Sequence, residues 1–403
     1  VFTIAFLLLA RLRMPNSHIM NTYARLDISF KTGKGATLFT EDGTAYLDAV
    51  SGIAVCSLGH SHPAVSATIC QQAKQLLHTS NLYNIDNQTK LANELCELSA
   101  MDEVFFTNSG AEANETALKI ARKTANNKGI SNHKVIVMHN SFHGRTLATL
   151  SATGNEKVHQ DFYPLVDDYI HVPFDDVEAV QALTNNKNIV AILVEPIQGE
   201  GGVHIPASNY LSELRKICDQ NDWLLMLDEV QTGIGRSGKW FAFQHENIKP
   251  DVMTLAKALG NGMPIGACLT SNKANQVLVP GNHGTTFGGN PLACAVGLTV
   301  IETIKSANYI EKVAQQGQKI IASLQEKLSA NSGVINIRGK GYMIAIQLDS
   351  PCTNLVAEAL KLNLLLNVTR GDTIRLLPSF VMDTTQQDEL INKVVTLVNQ
   401  HTA

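Results

Sequence analysis

The sequence predicts an α/β protein: a large domain on a mostly parallel central sheet, followed by a smaller α+β domain. Three observations carry that expectation. Short apolar runs, EVFF, KVIVM, IVAILV, WLLML, DVMTL and IGACLT, alternate with helical patterns through the middle of the chain. Unbroken apolar strands belong where helices cover both faces of a sheet. From about Pro291 the texture changes to helical stretches near 292–329, then GVINIRGKGYMIAIQL, two strand-like runs around a glycine turn, then a closing helix. Finally, 403 residues with an apolar fraction of 44% can bury a core large enough for two domains.

Taken in order, residues 1–20 read as an extension ahead of a natural start at Met14 or Met20. The apolar run in VFTIAFLLLARLRM is too short to span a bilayer, and Arg11 and Arg13 follow it instead of preceding it as in an export signal. Residues 21–60 are expected to pack with the small domain, 61–292 to form the large domain, and 293–403 the small one. A charged fraction of 17% and a net charge of -4, with no basic cluster, give no footprint for nucleic acid or a membrane surface. Small molecules are the expected partners. Seven scattered cysteines with no C-x-x-C pair argue against a disulfide framework or a metal site, and for buried free thiols in a reducing cytoplasm.

The first element that carries chemistry is EVFFTNSGAEANETALKIAR. A buried strand ends in small residues, Ser109, Gly110 and Ala111, and a helix follows. Such a turn offers backbone N–H groups and the positive helix end to a phosphate. Ser109 acting merely as the helix cap is the alternative. Next, WLLMLDEVQTG closes an apolar strand with Asp228 and Glu229, and ligands of doubly wound sheets sit at strand carboxyl ends. At least one of the two should face the site.

GIGRSGKW, residues 233–240, fits two phosphate patterns on paper. Trp240 stands where a P-loop needs Ser or Thr for magnesium, and the glycines do not lie directly between a strand and a helix. The segment is therefore expected to hold no phosphate, with Arg236 and Lys239 as surface charges. After it, DVMTLAKALGNGMPIGA sets Lys257 behind an apolar run among small residues. A desolvated amine there could capture a carbonyl as a Schiff base. Phosphate cup, strand-end acid and lysine, in that order, suggest pyridoxal phosphate.

The chain resembles the fold-type I, class III aminotransferases from Tyr23 onward. The resemblance rests on SGIAVCSLGHSHP, HTSNLYN, FTNSGAEANETALKIAR, SFHGRTLATLS, VEPIQGEGGV, LDEVQTGIGRSG, LAKALGNGMPIGA, HGTTFGGNPLACA and NVTRGDTIRLLP. HTSNLY and TIRLLP are similar to the acetylornithine branch. The resemblance implies that Lys257 bonds the cofactor and shuttles the proton, and that Asp228 pairs with the pyridine nitrogen. Ser109, Gly110 and Ala111 would cradle the phosphate, Phe142 stack on the ring, and Gln231 bond its phenolic oxygen. Thr286 would reach the phosphate from a second subunit, making a homodimer. GIGRSGKW would shape the active-site wall.

For the substrate, the resemblance implies that Arg145 and Arg375 grip carboxylates, which suits the planar guanidinium fork. Glu200 would be the movable partner of Arg375, Ile53 stands where the ornithine branch has tyrosine, and Tyr23 would line the same pocket. The implied reaction moves the terminal amine of N2-acetylornithine to 2-oxoglutarate, with succinylornithine or N-succinyl-diaminopimelate as the alternative donors. A nucleotide-binding protein using Gly233–Lys239, and a non-enzymatic binding protein on the same fold, are the rivals from other classes.

Overall fold

The structure is a computed structural model that describes residues 18–403. The apolar run and the start at Met14 fall on residues 1–17 and lie outside the described residues. The central sheet holds seven strands: β1 (Glu103–Thr107), β2 (Lys134–Met138), β3 (Tyr169–Val172), β4 (Ile189–Val194), β5 (Leu224–Asp228), β6 (Val252–Leu255) and β7 (Gly266–Thr270). They lie in the order β1-β7-β6-β5-β4-β2-β3. β6, β5, β4, β2 and β3 run parallel, whereas β7 pairs antiparallel with both β6 and β1. β1 consequently points the same way as β6. The carboxyl ends of β1, β2, β4, β5 and β6 therefore share one edge, where β7 begins.

Burial explains the apolar strands. Every residue of β4, β5, β6 and β7 is buried, as strands covered on both faces require. The long helix α1 (Gly110–Asn127) lies against the sheet with Ala117, Ile120, Ala121 and Ala125 turned inward. Small residues let helix and sheet approach closely.

Two smaller sheets flank this layer. One joins Thr32–Lys34, Thr37–Phe39 and Ala45–Asp48 to Leu364–Leu365, which pairs in parallel with Ala45–Asp48. The other is antiparallel, with Val334–Lys340, Met343–Leu348, Thr373–Leu376 and Asn367–Thr369 in that order. The helices Pro291–Ser306, Tyr309–Lys327 and Thr384–His401 belong to this end of the chain. Their starts follow capping rules: Asn290 accepts from Ala293 N ahead of Pro291, and Asp383 and Gln386 cap each other reciprocally.

The thiols differ from expectation. Cys218, Cys268, Cys294 and Cys352 are buried, but Cys70 is exposed and Cys56 and Cys96 are half-buried; all seven are free. Among the described residues no helix is long and apolar enough to cross a membrane, and no His/Cys/Asp/Glu group could hold a metal.

Candidate active site

A cavity of ≈ 400 Å³ opens at the shared carboxyl edge, within the range that suits a small ligand. Ser109, Gly110, Ala111, Phe142, Arg145, Glu200, Asp228, Gln231 and Lys257 all line it. These residues come from segments up to 148 positions apart (257 − 109), brought together because each stands at or beyond the carboxyl end of a strand.

At the start of α1, Ser109 Oγ accepts from Glu112 N at 3.2 Å. Ser109 is thus a helix cap and a cavity wall at once. A Cβ on Gly110 would lie 2.8 Å from Val230 Cγ1. Glycine keeps this helix end in close contact with the loop after β5 and leaves its N–H groups open to an anion.

Asp228 is the acid of the pair that faces the cavity. Its Oδ2 accepts from Asn114 Nδ2 at 2.8 Å and meets His143 Nδ1 at 2.8 Å. Asn114 is fixed in turn by the carbonyl of His143 and by Thr254 Oγ1. The remaining ring nitrogen of His143, Nε2, is buried without a partner. Glu229 turns away and is buried, accepting from Thr232 Oγ1 and from the N–H groups of Ala242 and Phe243. Burial pushes its pKa up to about 7 against those donors.

Lys257 is half-buried, with φ of 43° in the left-handed region. A lysine held there costs conformational energy, which the surrounding packing must supply. Burial lowers its pKa most, and Arg375 adds to that while Glu200, Asp228 and Glu195 pull the other way. An amine so placed is a ready nucleophile and proton acceptor.

Arg375 lies fully buried on the strand Thr373–Leu376, which pairs with Met343–Leu348 and Asn367–Thr369. Its Nη1 donates to Glu200 Oε1 at 2.7 Å and to Gln231 Oε1 at 3.4 Å, and its Nε donates to Asn367 Oδ1 at 3.2 Å. Nη2 is buried with no partner. Burial would raise the pKa of Glu200, but Arg375, with help from Lys257 and Gln231, overcomes it and leaves the carboxyl lowered. Arg145 is exposed, its guanidinium 5.6 Å from the Phe142 ring.

Three expected residues stand apart from the cavity. Tyr23 is 70% exposed beside Arg25, Ile53 is partly exposed with φ of 63°, and Thr286 sits exposed in the loop before Asn290. Val55 lines the cavity instead. Glu195, absent from the sequence expectations, is buried in the wall and accepts from Phe142 N at 3.1 Å and Gly199 N at 3.2 Å. Burial and the nearby Asp228 raise its pKa to about 7, opposed by His143 and the two N–H groups. Its signal was present: it closes the IVAILV strand as Asp228 closes WLLML.

Arg236 corrects the sequence reading. It is fully buried, not a surface charge, and donates to the carbonyls of Pro378 at 2.5 Å and Tyr342 at 3.3 Å and to Ser57 Oγ at 2.8 Å. Its guanidinium lies 4.8 Å from the Phe380 ring centre. Without a carboxylate partner, burial pulls its pKa down to about 9. Lys239 is exposed. The segment Gly233–Trp240 joins Arg236 to the C-terminal strands and forms no helix N-terminus for a phosphate.

The donor set suits pyridoxal phosphate. One cavity brings together a helix end for a phosphate, a desolvated amine for a carbonyl and a hydrogen-bonded carboxylate for a ring nitrogen.

Residues 19–398 match the family described as Aminotransferase class-III. The chain is similar to acetylornithine aminotransferase of Nitrosomonas europaea, 52% identical over 95% of this chain and 98% of the relative. It is also similar to acetylornithine aminotransferase 1 of Bordetella pertussis, 46% identical over 96% of this chain and 99% of the relative. Its fold is similar to that of ornithine aminotransferase from Toxoplasma gondii, with a TM-score of 0.91, 31% identity, and 99% and 97% of the two chains covered; that structure has partial occupancy of PLP at its active site.

Proposed function

The chain belongs to the class-III aminotransferases, and from that premise we propose that it moves the terminal amine of N2-acetylornithine to 2-oxoglutarate. The products are N-acetylglutamate 5-semialdehyde and glutamate, a step of arginine biosynthesis. The cofactor is pyridoxal phosphate, and the seven free thiols suit a reducing cytoplasm.

Bound cofactor supplies a carbonyl for amines and an electron sink for the carbon that loses its proton. Ser109, Gly110 and Ala111 would hold the phosphate, Phe142 would face the ring, and Gln231 would take the phenolic oxygen. Asp228, oriented by Asn114 and His143, would keep a proton on the ring nitrogen. Lys257 Nζ would bond the carbonyl carbon and carry the proton, a role its lowered pKa supports. Thr286 would reach the phosphate from a second copy of the chain. Its own exposure supports that arrangement, as do the exposed Leu82, Tyr83 and Phe287 close by.

The observation that carries the substrate reading is the buried Arg375, half committed to Glu200 and with Nη2 unspent. N2-acetylornithine presents its distal amine, so its carboxylate lies far from the reacting carbon and pairs with Arg145. Nothing anionic then faces Arg375, and Glu200 covers a buried charge that would otherwise be costly. 2-Oxoglutarate brings its 1-carboxylate beside the reacting carbon, displaces Glu200 and uses both arms of the Arg375 fork, while its 5-carboxylate takes Arg145. Unacylated ornithine would carry an ammonium toward Arg145, which acetylation removes.

Steady-state rates with N2-acetylornithine, ornithine and 4-aminobutyrate, each against 2-oxoglutarate, test this. Acetylornithine should lead in kcat/KM by at least about tenfold, the ~1.4 kcal/mol of an avoided like-charge contact. Equal or better use of ornithine would contradict the reading.

A further inference from the structure

Glu195 stands directly after β4, buried in the cavity wall, and turns one oxygen to each of two loops. Its Oε2 accepts from Phe142 N at 3.1 Å, beyond the end of β2, and its Oε1 accepts from Gly199 N at 3.2 Å. The first N–H belongs to the residue whose ring lines the cavity. The second lies just before Glu200, the acid that covers Arg375. No step of the proposed transfer uses the Glu195 carboxyl.

Both loops are braced around this carboxyl. Gln198 Nε2 donates to the His139 carbonyl at 2.8 Å, and Gln198 and His204 exchange backbone hydrogen bonds of 3.1 Å in both directions. A Cβ on Gly199 would lie 2.4 Å from Gln231 Oε1, and one on Gly201 would lie 2.8 Å from the Asn140 carbonyl. Glu200 therefore rides on a tight loop wedged between Gln231 and the segment after β2. On the far side His143, next to Phe142, is tied through its N–H to Thr153 Oγ1 at 2.9 Å and through Nδ1 to Asp228. Glu195 joins these two segments. A carboxylate suits that place because both of its oxygens accept, whereas an amide or a protonated carboxyl leaves one buried N–H facing a donor.

We propose that Glu195 is a positioning residue: it locks the Phe142 wall to the peptide that carries Glu200, and thereby sets how firmly Glu200 covers Arg375. This rests on the Glu200 exchange under Proposed function and adds to it the group that regulates the exchange. Burial, with Asp228, raises the Glu195 pKa to about 7 against His143 and the two N–H groups, so the carboxyl takes up a proton as pH falls through about 7. The titratable groups that face it are His143, Asp228 and Lys257. Ionised, Glu195 holds both N–H groups. Protonated, it releases one of them, and Glu200 leaves Arg375 more readily.

Glutarate, a dicarboxylate with neither amine nor keto group, is the probe, because it must displace Glu200 to reach Arg375 yet cannot react. Its Kd is read from the absorbance of bound cofactor in the wild type, E195Q and E200Q holoenzymes at about pH 6 and about pH 8.5. At the higher pH, E195Q should bind glutarate about 3- to 10-fold more tightly than the wild type, the effect of one lost hydrogen bond on the cover. That advantage should shrink to within about twofold at the lower pH, where the wild-type carboxyl is itself protonated. Equal affinities at the higher pH, or an advantage that does not change with pH, would overturn the proposal. The ratio of E200Q to wild-type affinity leaves position 195 intact and should also narrow in acid; a constant ratio would overturn the proposal as well. No glutarate binding to the wild type, or no gain in E200Q at either pH, would overturn the Glu200 exchange itself, and this inference with it.

Discussion

On the proposed function, Lys257 is the residue on which the chemistry turns. Lys257→Ala should keep the cofactor bound through the phosphate and ring contacts yet lose turnover by several orders of magnitude, since nucleophile and proton carrier are the same atom. Absorbance of bound cofactor and steady-state rates measure the two separately; near-normal turnover would refute the role. Arg236 acts on stability instead. Arg236→Met should destabilise the fold by about 2–4 kcal/mol in urea titrations, because the carbonyl of Pro378 and the hydroxyl of Ser57 lose a buried donor. The sequence made Lys257, Asp228 and Ser109 legible because each follows an apolar strand run, and that position is a local property. It made Arg236 look solvated because a basic residue among glycines carries no mark of burial. Its partners Ser57, Tyr342 and Pro378 lie 179, 106 and 142 residues away. Asn114 and His143 escaped for the same reason: their value lies in where they meet Asp228 across the sheet.

Elements divide the same way. The buried central strands were readable as apolar runs, but β3, YIHV, breaks its run with a histidine and is only partly buried. The strands of Thr32–Asp48 are three or four residues long and half exposed, so neither length nor alternation announced them. That sheet is fastened by His60, whose Nε2 meets Asp48 Oδ2 at 2.7 Å while Gly35 bridges to His60. The bond to Asp48, with one to Cys56, raises the His60 pKa from 6.5 to about 9 against partial burial. The folded state binds this proton more tightly than the unfolded state. Its contribution is therefore full below pH 6.5 and fades as pH rises through about 9. His60→Gln should cost about 1 kcal/mol at pH 6.5, after discounting for solvent screening, and much less at pH 9.5. Urea titrations at the two values check it; a cost that grows with pH would contradict the ion pair.

For the whole molecule, the question is whether one chain completes a site. Asn81 ties the helix-linking loop to the carbonyls of Thr285 and Gly288, and the His78 and Phe287 rings lie 5.4 Å apart. Thr286 is thus presented outward on a braced loop beside exposed apolar side chains. Thr286→Ala should weaken cofactor affinity by about 1–3 kcal/mol if its hydroxyl meets the phosphate across subunits. Mixing Lys257→Ala with Thr286→Ala chains gathers both lesions into one site of a heterodimer and leaves the other whole. Recovery of turnover in the mixture supports shared sites, and no recovery would mean that each chain builds its own.

For one cavity to serve the two unlike substrates proposed, Glu200 must cover Arg375 for one and leave it for the other. Stopped-flow absorbance on the separate half-reactions of Glu200→Gln tests it most directly. The neutral amide should slow the reaction with N2-acetylornithine, which needs the arginine covered, and tighten the binding of 2-oxoglutarate or glutamate, which compete with no carboxylate. Equal impairment of both half-reactions would contradict the claim and leave Glu200 a structural residue.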